Sequence, residues 1–383
     1  MHSWSWALDA PEVSTVDVRP ASEGEYGDWP EWVSSEVRQR CVNQGIERLW
    51  THQQELAELA YRGRHVALTT STGSGKSLAY LLPVIAATAE GNVGMEVPAS
   101  LIRRTEHTAL YLAPTKALAH DQVRAATTFG PADWRITAVD GDSDEAERRF
   151  AREYASFVFT NPDMLHYSVL PNHRRWSRLL SGLRYVVVDE AHRYQGVFGA
   201  HIAHVLRRLR RLASHYGANP TFVLASGTAT GTDEFGGKLI GEPTITVVTH
   251  DGAPKPKRVI ALWKPSISLN QDTGNLLGRL VASGAQTIAF VASRAGAELV
   301  ALEAQEIAGP AIASYRAGFL PSERRSLEQS LQTGALRGVA TTNALELGID
   351  VAGMDAVLIA GYPGKLSTLW PVSYTHLTLP TNR

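Results

Sequence analysis

HVALTTSTGSGKSLAYLLPVI, residues 65–85, passes from a short apolar run through a turn of small residues into a second, longer apolar run. The order predicts a strand, a tight turn and a helix. Phosphate binding needs that arrangement. Thr72, Gly73, Ser74 and Gly75 make the turn, and glycine lets the backbone curl so that successive N–H groups point inward. The helix N-terminus adds partial positive charge. Lys76 is placed to reach the β- and γ-phosphates of a nucleotide, and the Ser77 hydroxyl to coordinate Mg²⁺. Thr70 stands where the pattern GxxxxGK[ST] has its first glycine. The plainer alternative, a Gly/Ser-rich surface turn, does not explain why a strand precedes it and an apolar helix follows.

Working outward, short apolar runs alternate with amphipathic stretches: ALYLAP, RITAV, FVFT, YVVVD, TFVLAS and TITVV, then QTIAFV, AIASY, RGVATT and DAVLIA. Such runs predict parallel strands whose crossover helices cover both faces. DGAPKPKR, residues 251–258, interrupts the alternation and reads as a linker. Expected are an N-terminal extension over 1–45, a first α/β lobe over 46–252, a linker over 253–270 and a second lobe over 271–370. PSERRSLEQSLQTG predicts a helix with Pro321 in its first turn and Gly334 beyond its end.

A second chemical signal is RYVVVDEAHRY, residues 184–194. Three valines predict a buried strand, and Asp189 and Glu190 emerge at its carboxyl end, where open α/β sheets bind ligands. Asp189 is the candidate Mg²⁺ ligand, and Glu190 the candidate base for an attacking water. A solvated acidic pair at a strand end is the bland reading, and the upstream GKS argues against it.

TSTGSGKS, the DEAH of Asp189 to His192, and Ser226-Gly227-Thr228 together resemble motifs I, II and III of the superfamily 2 DEAD/DEAH-box helicases. The resemblance extends through Pro114, Thr115 and Lys116 in APTKAL, Thr160 and Asn161 in TNPD, Arg294 after TIAFVAS, and Thr341 and Thr342 in TTNALELGID. DGDSDEAERR, RAGFLPSERR and GYPG are similar to the branch typified by mitomycin-repair factor A. The resemblance implies two RecA-like lobes with parallel sheets, and ATP with Mg²⁺ as cofactors. It further implies 3′-to-5′ movement on single-stranded or partly duplex DNA and a role in DNA repair; a cytoplasmic location is expected instead from the single cysteine, Cys41, which fits a reducing compartment. It makes Gln53 the adenine reader and puts Gly348 and Asp350 on the wall facing the nucleotide. Pro114, Thr115, Lys116, Thr160, Asn161, Arg294, Thr341 and Thr342 become strand contacts. His192, Ser226 and Thr228 would couple the nucleotide site to the strand face. Gly227 departs from the family's usual alanine. An RNA helicase, or a non-catalytic fragment binding ATP and nucleic acid, is the alternative; a P-loop phosphotransferase would not need TIAFVASR and TTNALELGID.

After GYPGKLSTLW the family's next motif supplies arginines, and here PVSYTHLTLPTNR follows instead. Val372 to Thr381 back-translates to GTC TCT TAT ACA CAT CTG ACG CTG CCG ACG, which resembles a transposon-end sequencing adapter. The expectation is a non-native tail over 371–383, a second lobe incomplete before its arginine motif, and ATP binding and turnover impaired in the chain as written.

Composition bounds these readings. The chain has 383 residues, 44% hydrophobic and 20% charged, as a soluble globular protein does. Lys plus Arg number 37 against 38 Asp plus Glu, so any nucleic-acid surface must be local. No apolar run reaches a membrane span. The single cysteine, Cys41, excludes an internal disulfide. HIAHVLRRLRRL, residues 201–212, reads as a helix with an apolar stripe and arginines turned outward, and His201 and His204 lack a third metal ligand.

Overall fold

A computed structural model describes residues 5–71, 73–89, 107–227, 231–315, 321–342 and 354–361. They form two compact units: one is Gly24–Ala253, and the other joins residues before Gly24 to residues after Ala253. The first strand, β1 (Val13–Arg19), belongs to the second of these units. The unit Gly24–Ala253 holds β2 (Tyr26–Gly27), β3 (Leu49–Trp50), β4 (Val66–Thr69), β5 (Thr108–Leu112) and β6 (Ile136–Ala138). It also holds β7 (Phe157–Thr160), β8 (Leu183–Val188), β9 (Thr221–Ser226) and β10 (Thr246–Val248). The other unit takes up β11 (Arg258–Trp263), β12 (Thr287–Phe290), β13 (Ile312–Tyr315), β14 (Gly338–Thr341) and β15 (Ala356–Ile359).

Seven strands of the larger unit form one sheet in the order β10-β4-β9-β8-β5-β7-β6, and every pairing in it is parallel. Its interior strands are largely apolar and buried because both faces are covered. Successive residues feed opposite cores. Leu110, Leu112, Val186, Val188, Phe222 and Leu224 pack on one face with the helix Gly196–His215. Ala109, Tyr111, Tyr185, Val187, Val223 and Ala225 pack on the other with the helices Thr51–Tyr61 and Lys76–Thr88. The α/β class expected from the runs is thus the observed one, and each run named above forms a strand.

The other unit holds a four-stranded parallel sheet, β13-β14-β12-β15. Ala289, Val291 and Ala340 face the helices Leu269–Ala282 and Arg294–Ala308, while Ile288, Phe290, Tyr315 and Val339 make a smaller core with Leu331. The helix Pro321–Gln332 starts at Pro321, and Gly334 follows it with φ +74°.

The segments expected as extension and linker have more structure than their composition suggests. β1 pairs antiparallel with β11 from Val13↔Trp263 to Arg19↔Arg258. Residues 1–45 therefore divide between the units, and 253–270 contains a strand. Trp6 lies against the same unit, with the Arg279 guanidinium 3.8 Å from its ring and its Nε1 donating to Ser283 Oγ at 3.3 Å. The helix Ser35–Asn43 ends before Gly45, which stands at φ +80°. Among the described residues, no helix is long and apolar enough to cross a membrane.

Candidate nucleotide site

Because the seven strands are parallel, their carboxyl ends share one edge, and the loops leaving that edge carry the chemistry. Residues 70–77 follow β4, Pro114 to Lys116 follow β5, Asn161 follows β7, Asp189 and Glu190 follow β8, and Ser226 ends β9. Gly73 and Gly75 hold φ of +78° and +76°, a region that costs other residues roughly 1–2 kcal/mol. A Cβ on Gly75 would also come within 2.5 Å of Gln53 Nε2. Thr70, in the place of the pattern's first glycine, is fully buried and bonds Ser74 Oγ at 2.7 Å through its hydroxyl. Lys76 Nζ donates back to Thr70 O at 3.1 Å and Ser71 O at 2.9 Å. Burial pushes its pKa down, and the charges of Glu190, Asp189 and Asp251 oppose that shift. Lysine and both candidate carboxylates therefore share one electrostatic neighbourhood.

Asp189 is buried, with its carboxylate accepting from Tyr111 Oη and from the Glu190 N–H at 2.9 Å. Burial, then the neighbouring Glu190 charge, pushes its pKa up to about 6. Glu190 sits at φ +49°, the one non-glycine residue with positive φ among those described. That conformation turns the chain sharply after β8 and sends consecutive side chains in different directions. His192 Nδ1 lies 3.2 Å from Glu190 Oε2 and accepts from the Gly227 N–H at 3.3 Å. Burial, then Lys76 and Arg193, pushes its pKa down to about 4, so the ring is neutral near pH 7. A Cβ on Gly227 would meet His192 Cε1 at 3.8 Å, an ordinary contact, so the family's usual alanine fits here too. Ser226 Oγ is buried and unpaired among the described residues. Thr72, Thr228, Gly348, Asp350 and the tail after Gly361 lie outside the described residues.

Gln53 has a use the sequence did not suggest. Its Nε2 donates to Gly75 O at 2.9 Å, and its Oε1 accepts from the Trp50 N–H at 2.9 Å. The amide thus ties the helix start to the turn. Four further residues of the site escaped the sequence reading. His52 Nε2 bonds Ser74 O at 2.9 Å, and Asp251 accepts from Ser71 N at 3.1 Å and Ser71 Oγ at 2.5 Å. Gln122 Oε1 accepts from Ser77 Oγ at 3.3 Å and Tyr80 Oη at 2.9 Å, while Tyr111 holds Asp189. Only His52, beside Gln53 on a helix start, carries even a weak local signal.

The expected strand contacts divide. Lys116 is exposed, with Nζ 2.6 Å from Asp142 Oδ2, which raises its pKa. Thr115 caps the helix Lys116–Phe129 and Asn161 caps Pro162–Met164, accepting from Leu118 N at 3.3 Å and Met164 N at 2.8 Å. Pro114 is half-buried. Arg294, exposed, opens a helix capped by Ser293, and half-buried Thr342 follows β14. Thr160 and Thr341 are both buried, and their hydroxyls donate to Val139 O at 2.7 Å and Thr342 O at 2.9 Å.

The donor set fits Mg²⁺ in one specific way. Among the described residues no group of three or more His, Cys, Asp or Glu side chains could hold an ion. Asp189 and the Ser77 hydroxyl are hard oxygen donors, and no basic group among the described residues pairs with the buried carboxylate. Mg²⁺ characteristically takes one or two carboxylates and completes its shell with phosphates and water. The residues suit an ion arriving with a nucleotide.

Comparison with known proteins agrees with this geometry. Residues 50–235 match the DEAD/DEAH box helicase family and residues 271–377 the helicase conserved C-terminal domain. The uncharacterized ATP-dependent helicase YprA of Bacillus subtilis is 35% identical over 375 residues, covering 94% of this chain and 48% of YprA. ATP-dependent helicase HRQ1 of Saccharomyces cerevisiae is 36% identical over 348 residues, covering 84% of this chain and 31% of HRQ1. The crystal structure of the DUF1998 helicase MrfA bound to DNA superposes with a TM-score of 0.88 at 34% identity, covering 97% of this chain and 53% of that one. The chain spans about half the length, or less, of these relatives. With the phosphate turn, the acidic pair and two parallel-sheet units in the matching order, the chain belongs to the DEAD/DEAH-box helicases, in the group that includes YprA and MrfA.

Proposed function

We propose that the chain is the motor part of an ATP-dependent DNA helicase or translocase, moving 3′ to 5′ in DNA repair. The observation that carries the reading is the gathering of Lys76, Asp189 and Glu190 at the carboxyl edge of one parallel sheet, within each other's electrostatic reach. In this reading the amides of the turn and Lys76 bind the phosphates, with Lys76 exchanging two backbone carbonyls for phosphate oxygens. Mg²⁺, held by Asp189 and Ser77, would neutralise charge developing on the phosphates. Glu190, turned by its left-handed backbone, orients the attacking water and takes its proton. Neutral His192 touches both Glu190 and the backbone after β9, so a change at the carboxylate moves the end of a neighbouring strand.

DNA as the substrate is supported by the likeness to MrfA, whose crystal structure is of a DNA complex. Lys116, Arg294 and the capped turns at Thr115 and Asn161 are the proposed strand contacts, through phosphates and without sequence preference. The 3′-to-5′ direction and the repair role rest on the family resemblance. ATP binding and ATPase assays with single-stranded DNA, with RNA and with neither test the proposal. Lys76→Ala is expected to lose Mg-ATP binding. In a chain that carries the family's arginine motif, Glu190→Gln is expected to keep binding while turnover falls at least about a hundredfold. Full turnover in Glu190→Gln would require another base, and stimulation by RNA alone would replace DNA as the substrate.

A further inference from the structure

The phosphate turn is held from outside by a pair of residues that none of the motifs contains. Asp251, whose side chain is 9% exposed, accepts the Ser71 N–H at 3.1 Å and the Ser71 hydroxyl at 2.5 Å. His52 is fully buried. Its Nδ1 accepts from the Gly252 N–H at 3.2 Å, which leaves the proton on Nε2 to be donated to Ser74 O at 2.9 Å. The segment carrying Asp251 is itself fixed. Glu25 N donates to Gly252 O at 2.8 Å, Thr51 N donates to Glu25 O at 2.9 Å, and a Cβ on Gly252 would fall 2.2 Å from Thr51 Oγ1. The turn is thus gripped at Ser71 and Ser74, on either side of Gly73.

We propose that Asp251 and His52 are positioning residues for the phosphate turn. Lys76 Nζ now bonds the carbonyls of Thr70 and Ser71. When it leaves them for a triphosphate, those carbonyls lose a cationic partner, and an unrestrained glycine-containing turn would relax to follow it. Asp251 holds the Ser71 peptide from its N–H side, and His52 holds the Ser74 carbonyl, so the turn keeps its curl while the lysine moves. The inference rests on reading residues 70–77 as the nucleotide site and adds to it what sets the site's affinity.

Titration of this chain with a fluorescent ATP analogue and Mg²⁺ tests it, with Lys76→Ala as the non-binding reference. Asp251→Ala is expected to weaken binding about tenfold and Ser71→Ala about threefold, with the double variant no weaker than Asp251→Ala alone. Asp251→Asn keeps a carbonyl oxygen that can accept both Ser71 donors but turns its NH2 toward the Ala253 N–H, which donates to the other carboxylate oxygen at 3.2 Å, so its loss should fall between wild type and Asp251→Ala. Urea titration of the nucleotide-free variants, each of which must be folded under the binding conditions, separates positioning from general stability. Additive losses, an Asn variant as damaged as the Ala variant, or unchanged affinity in Asp251→Ala would each overturn the brace while leaving the nucleotide reading intact. Should Asp251→Ala fail to fold, Ser71→Ala carries the test, and unchanged affinity there overturns the proposal. A wild-type chain that binds no better than Lys76→Ala overturns the nucleotide reading and the brace with it.

Discussion

Asp189 and Glu190 are adjacent in sequence, yet one is locked in the core and the other is swung out on a left-handed turn. The buried member carries a cost that a ligand can remove. Its pKa is raised from 3.8 to about 6, so its contribution to stability is fully present below pH 3.8 and is lost as the pH rises through 6. Near pH 7.5 the nucleotide-free fold holds an ionised, desolvated carboxylate, at a cost on the order of 3 kcal/mol. Asp189→Asn should therefore raise the nucleotide-free thermal midpoint at pH 7.5, and the gain should shrink to nothing near pH 4. A lower midpoint at pH 7.5 would mean that the Tyr111 and Glu190 bonds outweigh desolvation. At this scale the lysine and the two acids were legible because a strand, a turn and a helix lie within one short segment. Ser71 and Asp251 were not, because they meet across 180 positions and neither stands in a recognisable pattern.

Buried parallel strands announce themselves as unbroken apolar runs, which is why the strands of both parallel sheets could be read from the sequence. Antiparallel β1 and β11 did not stand out. β1 is mostly exposed, Val16 and Val18 included, and β11 is half-buried except for exposed Leu262, so neither is a core strand covered on both faces. What makes VSTVDVR a strand is RVIALW, and no local propensity encodes that partnership. Removing residues 1–23 should therefore speed amide exchange across 258–263, which lose their only ladder partner among the described residues, and leave β4, β8 and β9 protected as before. Unchanged exchange in β11 would show that the ribbon adds nothing to its stability. Trp6, stacked with Arg279, contributes to the same docking and would be lost in the same deletion.

Taken whole, the molecule carries a formal charge of −1, so no long-range field draws it to a polyanion. Attraction must come from a few groups such as Lys116 and Arg294. Binding to single-stranded DNA should then weaken only roughly tenfold as salt rises from about 50 to about 200 mM, as expected for two or three neutralised phosphates. A thousandfold loss would point to a far larger basic surface. The pairing of Arg19 with Arg258 has a different kind of consequence. On the ribosome, at ~5–20 residues per second, β1 emerges on the order of 10–50 s before the strand that completes it. The unit Gly24–Ala253 is complete just before Arg258 emerges, while the N-terminal segment still waits. A nascent chain stalled after Ala253 and before Arg258 would therefore carry a finished phosphate turn and an orphaned strand edge, open to capture by another molecule or by a chaperone.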